Sequence, residues 1–453
     1  MSTEFGWKQL AGITGSDYVT FDMEPLRQRG WEGTLPRAFV TPSTREQLCE
    51  VMRLVFAERW RVAPVGNCTK LRMAGIPQGI DLVLSLRLLN RVTDYEPADL
   101  TISVEAGIAV EELAATLRSH CQQLPLDVPF SDGATVGGMI ATNGSGPRRL
   151  AYGSVRDILI GVHFVTADGT LVKSGGKVVK NVAGYDMGKL LIGSFGTLGI
   201  ITDVAFKVFP VPPMTTTFVL GFPAVNRALE ARQRILHSPF SPQALDLVDA
   251  AAGVLMREDI LSASSFSLVM AAAGSEAVVE RIRRELPPLI RRDGPENICN
   301  LTGDPEMRLW KAIQETTSTV LTQSPGAAVI KASVLLEQIG SVMELARQAA
   351  SRNGLACATL ARAGTGIVYC YFLPPSESDH ASRIERIAKA CEFLLSGTAQ
   401  LGGCAVVEWC PSEIKQQTSL WKTPGDDFPM MQRLKGQLDP AGILNPGRLY
   451  GKI

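Results

Sequence analysis

The chain has 453 residues, 45% of them hydrophobic and 20% charged, with 45 Lys plus Arg against 45 Asp plus Glu. That length exceeds what one compact core absorbs, so two or three domains are expected, and the composition is that of an ordinary globular enzyme. The balanced charge argues against a nucleic-acid binder, and no run of about 18 uncharged apolar residues is present to cross a bilayer. Residues Met1 to Leu10 mix Glu4 and Lys8 with scattered apolar side chains, unlike a secretory signal.

Residues 1–30 read as a mixed lead-in. Pro36 to Pro42 reads as a short strand, and Ser43, with Glu46 three residues on, as the capping box of a helix from Thr44 to Trp60. Arg61 to Val65 forms a buried strand that ends in the turn Gly66-Asn67. Leu82 to Leu86 and Thr101 to Glu105 are further strands, and Val110 to Cys121 has helical period. Strands dominate from Leu159 to Phe209, after which Pro210, Pro212 and Pro213 mark a domain boundary. Beyond it, strands at Thr217–Leu220, Ala244–Leu247, Ser265–Ala272 and Ile367–Phe372 alternate with helices near Ala224–His237 and Ala381–Ser396, and the strand–helix pattern resumes over Ala328–Asn353. An α+β domain on an antiparallel sheet fits this pattern. The expected divisions are residues 1–30, 31–213, 214–405 and 406–453, the last a tail returning to the first domain. No internal repeat is visible.

The nine cysteines are Cys49, Cys68, Cys121, Cys299, Cys357, Cys370, Cys391, Cys404 and Cys410, with no Cys-x-x-Cys pair. They read as reduced thiols of a cytoplasmic protein, with no zinc or iron–sulfur ligation. His120, His163, His237 and His380 are isolated in sequence and read as core or surface residues.

Three glycine-bearing segments carry the chemistry. Pro64, Val65, Gly66, Asn67, Cys68, Thr69 and Lys70 follow a strand directly, where a turn can aim successive N–H groups at one anion, Thr69 adding a hydroxyl and Lys70 a charge. Taken alone, this is also an ordinary strand–turn. Asp132 to Gly146 interleaves small residues with Thr135, Thr142, Asn143 and Ser145, which lets the backbone approach a large ligand; the alternative is a flexible loop beside a helix. Gly193 to Thr202, preceded by Lys180 to Asp186, permits another close approach or a simple helix-to-strand turn. Gly144-x-Gly146 is followed by Arg149 where a dinucleotide fingerprint needs Gly, so a Rossmann reading fails, and neither a Walker loop nor a Gly-x-Ser-x-Gly elbow is present.

In chain order these segments, with Ala98 to Gly107, Leu124 to Asp127 and Ala134 to Gly138, resemble the PCMH-type FAD-binding domain of vanillyl-alcohol-oxidase-like flavoproteins. Ser145 to Gly153, Lys177 to Asp186 and Asp439 to Arg448 resemble, within that family, the FAD-binding "E" subunits of bacterial glycolate oxidases. The likeness is strong over about 35–215, weak in the middle and good in the last forty residues.

The resemblance implies a two-lobed FAD domain plus a ferredoxin-like α+β cap. It implies that Pro64 to Lys70 hold the FAD pyrophosphate, and that Gly133, Ala134, Thr135, Gly137, Gly138, Thr142 and Asn143 line the pyrophosphate, ribityl chain and flavin edge. Gly199 with Ile200 or Ile201 would meet the adenine, and Asn445 would reach toward the isoalloxazine. Covalent attachment in relatives uses His or Cys in these loops; Cys68 is read as incidental. Hydroxy-acid-oxidising relatives carry a metal motif His-x-Gly-Asp-Gly-Asn-x-His, where this chain has Arg362 to Val368 without histidine, so neither a metal nor a catalytic base is assigned.

Two functions follow from the resemblance. In one, the chain is a glycolate (2-hydroxy-acid) dehydrogenase subunit passing electrons to an iron–sulfur partner, with Arg148, Arg149, Lys180 or Arg362 as candidates for the substrate carboxylate. In the other, it holds FAD as a relay or assembly subunit while a sister FAD-containing subunit oxidises substrate. The cytoplasm is the expected compartment, with contact to the inner membrane through the complex.

Overall fold

The computed structural model describes residues 2–176, 184–375, 379–421 and 425–453, which form two compact units. The first comprises 1–144, 154–211 and 424–453; the second comprises 145–153 and 212–423.

The first unit has two lobes. One is a four-stranded sheet ordered β1-β2-β4-β3, from β1 (Val19–Thr20), β2 (Ala38–Val40), β3 (Val62–Val65) and β4 (Leu82–Ser85). The pairs β2/β4 and β3/β4 are parallel, which needs a crossover, and the helix Arg45–Glu58 supplies it. That helix buries Leu48, Val51, Met52 and Val55, one stripe at helical spacing, against Leu82 and Leu84. Its N-cap is Thr44, whose hydroxyl accepts from the Gln47 N–H, rather than Ser43; Ser43 instead bonds the Gln47 side chain, so Gln47 takes the place expected of Glu46. The other lobe is a five-stranded antiparallel sheet ordered β5-β6-β10-β8-β9: β5 (Val92–Glu96), β6 (Thr101–Glu105), β8 (Leu159–Val165), β9 (Leu171–Gly175) and β10 (Ile200–Lys207). The short strands β7 (Gln122–Gln123) and β11 (Phe209–Pro210) pair with each other.

The second unit is an eight-stranded antiparallel sheet ordered β15-β12-β14-β13-β17-β18-β16-β19. Its strands are β12 (Met214–Phe222), β13 (Ala244–Asp249), β14 (Phe266–Gly274), β15 (Asn297–Leu301), β16 (Ala328–Ser333), β17 (Ala356–Arg362), β18 (Ile367–Leu373) and β19 (Cys404–Trp409). Each half runs strand–helix–strand–strand–helix–strand. The helices Val225–Leu236 and Glu276–Ile290 serve the first half, Ile339–Asn353 and His380–Gln400 the second. Both halves therefore have the ferredoxin-like order, 4-1-3-2 and 2-3-1-4, joined through β13 and β17. This is an internal repeat of topology that the sequence did not disclose, because the halves share a pattern of elements and no residue motif.

Two other expectations change. The segment 145–153 belongs to the second unit, and the expected tail 406–453 divides, since β19 pairs with β16 and only 424–453 joins the first unit. Backbone pairing, which composition does not report, decides both.

Alternation along the strands separates the two faces of the large sheet. Leu245, Leu247, Ala361, Val368, Cys370, Phe372, Ile330 and Val407 enter one continuous core with the four helices. The intervening positions include Asp246, Arg362, Tyr369, Lys331 and Glu408 on the opposite face. Asp246 and Arg362 stand directly opposite across the β13/β17 seam and form a buried ion pair. Asp246 leads the groups that hold the Arg362 guanidinium above its ordinary pKa despite burial, so the pair stays ionised. Asp246→Ala, which leaves that guanidinium buried without its counter-ion, is expected to cost about 3–5 kcal/mol in urea unfolding. The double substitution Asp246→Leu/Arg362→Met is expected to recover most of that loss.

Candidate functional site

The first unit contains a partly open cavity whose lining draws chiefly on four segments of the chain. Pro64 to Lys70 leave the end of β3; Ala134, Thr135, Gly137, Gly138 and Thr142 belong to the helix Val136–Ala141 and its approach. Gly199, Ile200 and Ile201 start β10, and Asn445 comes from the tail. The structure thus gathers sixteen of the eighteen expected positions around one space. Gly133 and Asn143 lie just behind the lining: the Gly133 carbonyl accepts from Asn67 Nδ2 at 3.1 Å, and Asn143 ends the helix with φ 50°.

The loop after β3 has the features of an anion cradle. Cys68 takes a left-handed φ of 63°, which reverses the backbone within the turn. Among the described residues, no hydrogen bond satisfies the backbone N–H of Gly66, Asn67, Cys68 or Thr69. Consecutive N–H groups left unspent in such a turn converge on one negatively charged group. Gly66 is required by packing, since a Cβ there would collide with the Thr135 side chain. Lys70 Nζ donates to Thr142 Oγ1 at 3.1 Å, tying this loop to the neighbouring helix. Burial raises the Cys68 thiol pKa, so it is a poor nucleophile.

The helix Val136–Ala141 contributes differently. Thr135 caps it by accepting from the Gly138 N–H, while Val136 and Gly137 donate to Ile108 O and Ala106 O. Its first donors are therefore spent on the protein, and it offers the cavity small side chains and close backbone rather than free N–H groups. At the opposite wall Gly196, with φ 71°, packs so tightly that an added Cβ would lie 2.5 Å from Pro64 Cγ. The residue Thr202 forms a bulge in β10 between Ile201 and Asp203, next to the two lining isoleucines.

The tail builds the remaining side. Val62 donates to Ile443 O and Asn445 donates to Val62 O, both at 2.8 Å, so the tail pairs with the free edge of β3. Asn445 Nδ2 donates to Phe195 O at 2.7 Å; Oδ1 is buried and has no partner among the described residues. The Arg448 guanidinium donates to Leu71 O and Gly75 O at 2.8 Å and to Lys70 O at 3.4 Å. Burial lowers its pKa to about 10, still far above neutrality. Arg448, Trp31, Phe195, Gly196 and Leu71 line the cavity without having been named as cofactor contacts from sequence; Phe195 and Gly196 fall in the quoted segment Gly193–Thr202 and Arg448 in the quoted tail motif, whereas Trp31 and Leu71 had no local signal.

Of the candidate carboxylate ligands, Arg149 is half-buried in the second unit, Arg362 is committed to Asp246, Arg148 starts a short helix, and Lys180 lies outside the described residues. The histidines stand apart: His163 is 3.8 Å from Asp203, His120 packs edge-on to Tyr95, His237 bonds Gln233 O and His380 bonds Glu413. Among the described residues no cluster of three or more His, Cys, Asp or Glu is arranged to hold a metal.

Unspent N–H donors, an orphaned buried acceptor and a cavity lined by small residues from several segments suit a ligand carrying phosphates and polar rings. Comparison with known proteins agrees. Residues 36–175 match the FAD binding domain family, and residues 211–449 match the C-terminal domain of FAD linked oxidases. The chain is 25% identical to glycolate oxidase subunit GlcD of Bacillus subtilis over 96% of this chain and 92% of that one. It is 25% identical to D-2-hydroxyglutarate dehydrogenase of Xanthomonas citri pv. viticola, covering 92% and 89%. Among solved structures it superposes on p-cresol methylhydroxylase with a TM-score of 0.80 at 16% identity, covering 98% and 96%. It superposes on alkyldihydroxyacetonephosphate synthase with 0.74 at 18%, covering 98% and 86%. The chain belongs to the FAD-linked oxidases with a PCMH-type FAD-binding domain, and FAD is its cofactor.

Proposed function

We propose that this chain is the FAD-binding subunit of a glycolate oxidase complex, of the "E" type, oxidising glycolate or a similar 2-hydroxy acid and passing electrons to an iron–sulfur partner. The observation that carries the cofactor assignment is the row of unspent N–H groups from Gly66 to Thr69 on the wall of the cavity. They are the donors a pyrophosphate requires. Gly137, Gly138 and Thr142, small or hydroxylated residues of the lining, would take the ribityl chain, and Gly199 to Ile201, also in the lining, would take the adenine. Asn445 Oδ1, its amide nitrogen committed to Phe195 O, is left as an acceptor for an N–H of the cofactor's rings. When bound, FAD supplies hydride acceptance from the substrate α-carbon. The relatives named for glycolate, D-lactate and D-2-hydroxyglutarate support a 2-hydroxy acid as substrate.

A second reading has its own observation. At the turn that resembles the relatives' histidine motif, Arg362 is spent on Asp246, and Tyr369 is held above its ordinary pKa by burial, so neither is a ready base at neutral pH. In that reading the chain holds FAD as a relay, and a sister flavoprotein subunit oxidises the substrate. In either case the complex meets the inner membrane through its partners; no helix among the described residues is long and apolar enough to cross it.

An anaerobic visible spectrum before and after glycolate separates the two readings. Bleaching of the flavin bands by the chain alone is expected for the first, whereas a spectrum that stays oxidised moves the chemistry to a partner. A protein without flavin after reconstitution with FAD rejects both. The cavity assignment has a separate check in the flavin-to-protein ratio after dialysis. Asn445→Leu is expected to weaken FAD retention by roughly tenfold and, because it strands Phe195 O and puts a leucine at φ 43°, to cost about 1–3 kcal/mol of fold stability as well. Arg448→Met, which strips the donor from three loop carbonyls, is expected to lose FAD and also to destabilise the protein by about 2–4 kcal/mol.

A further inference from the structure

The second unit carries a cluster of charge that no step above uses. On the sheet face opposite the helix-packed core, Lys331 of β16 stands directly across from Tyr369 of β18. Glu408 of β19 is the extra residue of a bulge, between Val407 opposite Ile330 and Trp409 opposite Val329. The bulge presents its carboxylate to Lys331, Oε1 lying 3.5 Å from Nζ. The Arg362 guanidinium carbon is 5.7 Å from the centre of the Tyr369 ring. Arg149, on the short helix Arg149–Tyr152 that packs by β13, is within electrostatic range of both Lys331 and Tyr369.

The charges do not cancel. Asp246 neutralises Arg362, and among the described residues Glu408 is the one further carboxylate paired with this cluster, at Lys331. Among the described residues Arg149 has no ion-pair partner, although it is only half-exposed. Lys331 and Glu408 are 21% and 13% exposed, so water screens the excess poorly. Glu408 faces the Lys331 ammonium at 3.5 Å, and burial raises the Tyr369 phenol above its ordinary pKa, so it stays neutral and a hydrogen-bond donor. Two cations and a phenol around one half-buried place, with one positive charge unmatched, form an acceptor site for an anion. The same cations repel a divalent metal.

We propose that Arg149, Lys331 and Tyr369 form a metal-independent binding site for a small carboxylate, with Glu408 competing for Lys331 and so setting the affinity. The identification of that carboxylate with the substrate rests on the function proposed above; the binding itself does not. Glu408 then acts as a selectivity element: it weakens any monoanion that draws on Lys331 alone and spares one that also reaches Arg149.

Isothermal titration of the full-length, flavin-loaded protein with oxalate, and anaerobically with glycolate, tests this. Saturable binding is expected, unchanged by EDTA, and weakened by roughly tenfold or more in Arg149→Gln and in Lys331→Gln, as loss of a charge-assisted bond implies. Glu408→Gln is expected to tighten binding several-fold, a direction that structural damage does not produce, and thermal melts establish that each variant is folded. Absence of binding in the wild type, unchanged affinity in both cation variants, or weakening by Glu408→Gln overturns the proposal. Binding without flavin reduction keeps the site and removes the glycolate-oxidising reading. Flavin reduction by glycolate with unchanged affinity in both cation variants does the reverse.

Discussion

The buried Arg448 guanidinium, bonded to the carbonyls of Lys70, Leu71 and Gly75, is the constraint on which the cofactor cavity depends. A loop that keeps four backbone N–H groups unpaired sacrifices hydrogen bonds it could otherwise make, and it holds that shape only if something else fixes its ends. The tail does this from outside the loop. Asp439 accepts from the N–H groups of Ile443 and Leu444, which sets the turn that brings the tail to β3. Lys435 bonds Asp439 and also the carbonyls of Thr197 and Leu444, so the same ammonium joins the tail to the segment leading into Gly199. Three walls of the cavity are thereby held by side chains that never need to touch the ligand.

The second unit solves a different problem by duplication of shape. An antiparallel sheet with helices on one face leaves its other face to be covered or charged. Here the two ferredoxin-like halves share one core and meet at β13 and β17, and the polar positions of that seam pair as Asp246 and Arg362. Elsewhere on the face neutral bonds do the same work: Thr317 meets Tyr371 at 3.1 Å, and Trp310 Nε1 donates to Thr217 at 2.7 Å. Lys331, Tyr369 and Glu408 are the positions where charge is left incompletely matched.

What the sequence disclosed follows the range of the interactions involved. Strand–turn and helix signals are local, so β3, the helix Arg45–Glu58 and the helix Val225–Leu236 fall where the residues placed them, within the usual fraying of element ends. The glycine-bearing segments were legible because small residues are costly unless a close approach needs them, as at Gly66 against Thr135. The helix cap shifted from Ser43 to Thr44 because both hydroxyls fit the rule and only the backbone angle decides between them. Trp31 was invisible as a lining residue, since an aromatic that borders a cavity has the same sequence context as one in a core. Nothing local marks residues 145–153 as belonging with β13, and the topological repeat left no residue pattern to detect.

Backbone and side chain divide the labour of recognition unequally in this chain. The cradle from Gly66 to Thr69 is made of N–H groups that every residue but proline carries, so a cysteine can occupy its centre provided the backbone reaches the left-handed region. Its chemistry is therefore set by conformation, and conformation is set by the tail. Anion recognition on the second unit's sheet has no such redundancy: it depends on which side chains alternate onto one face and on how many carboxylates stand among them. A fold of this kind can retain its cofactor while its partner chemistry changes, because the two depend on different parts of the polypeptide.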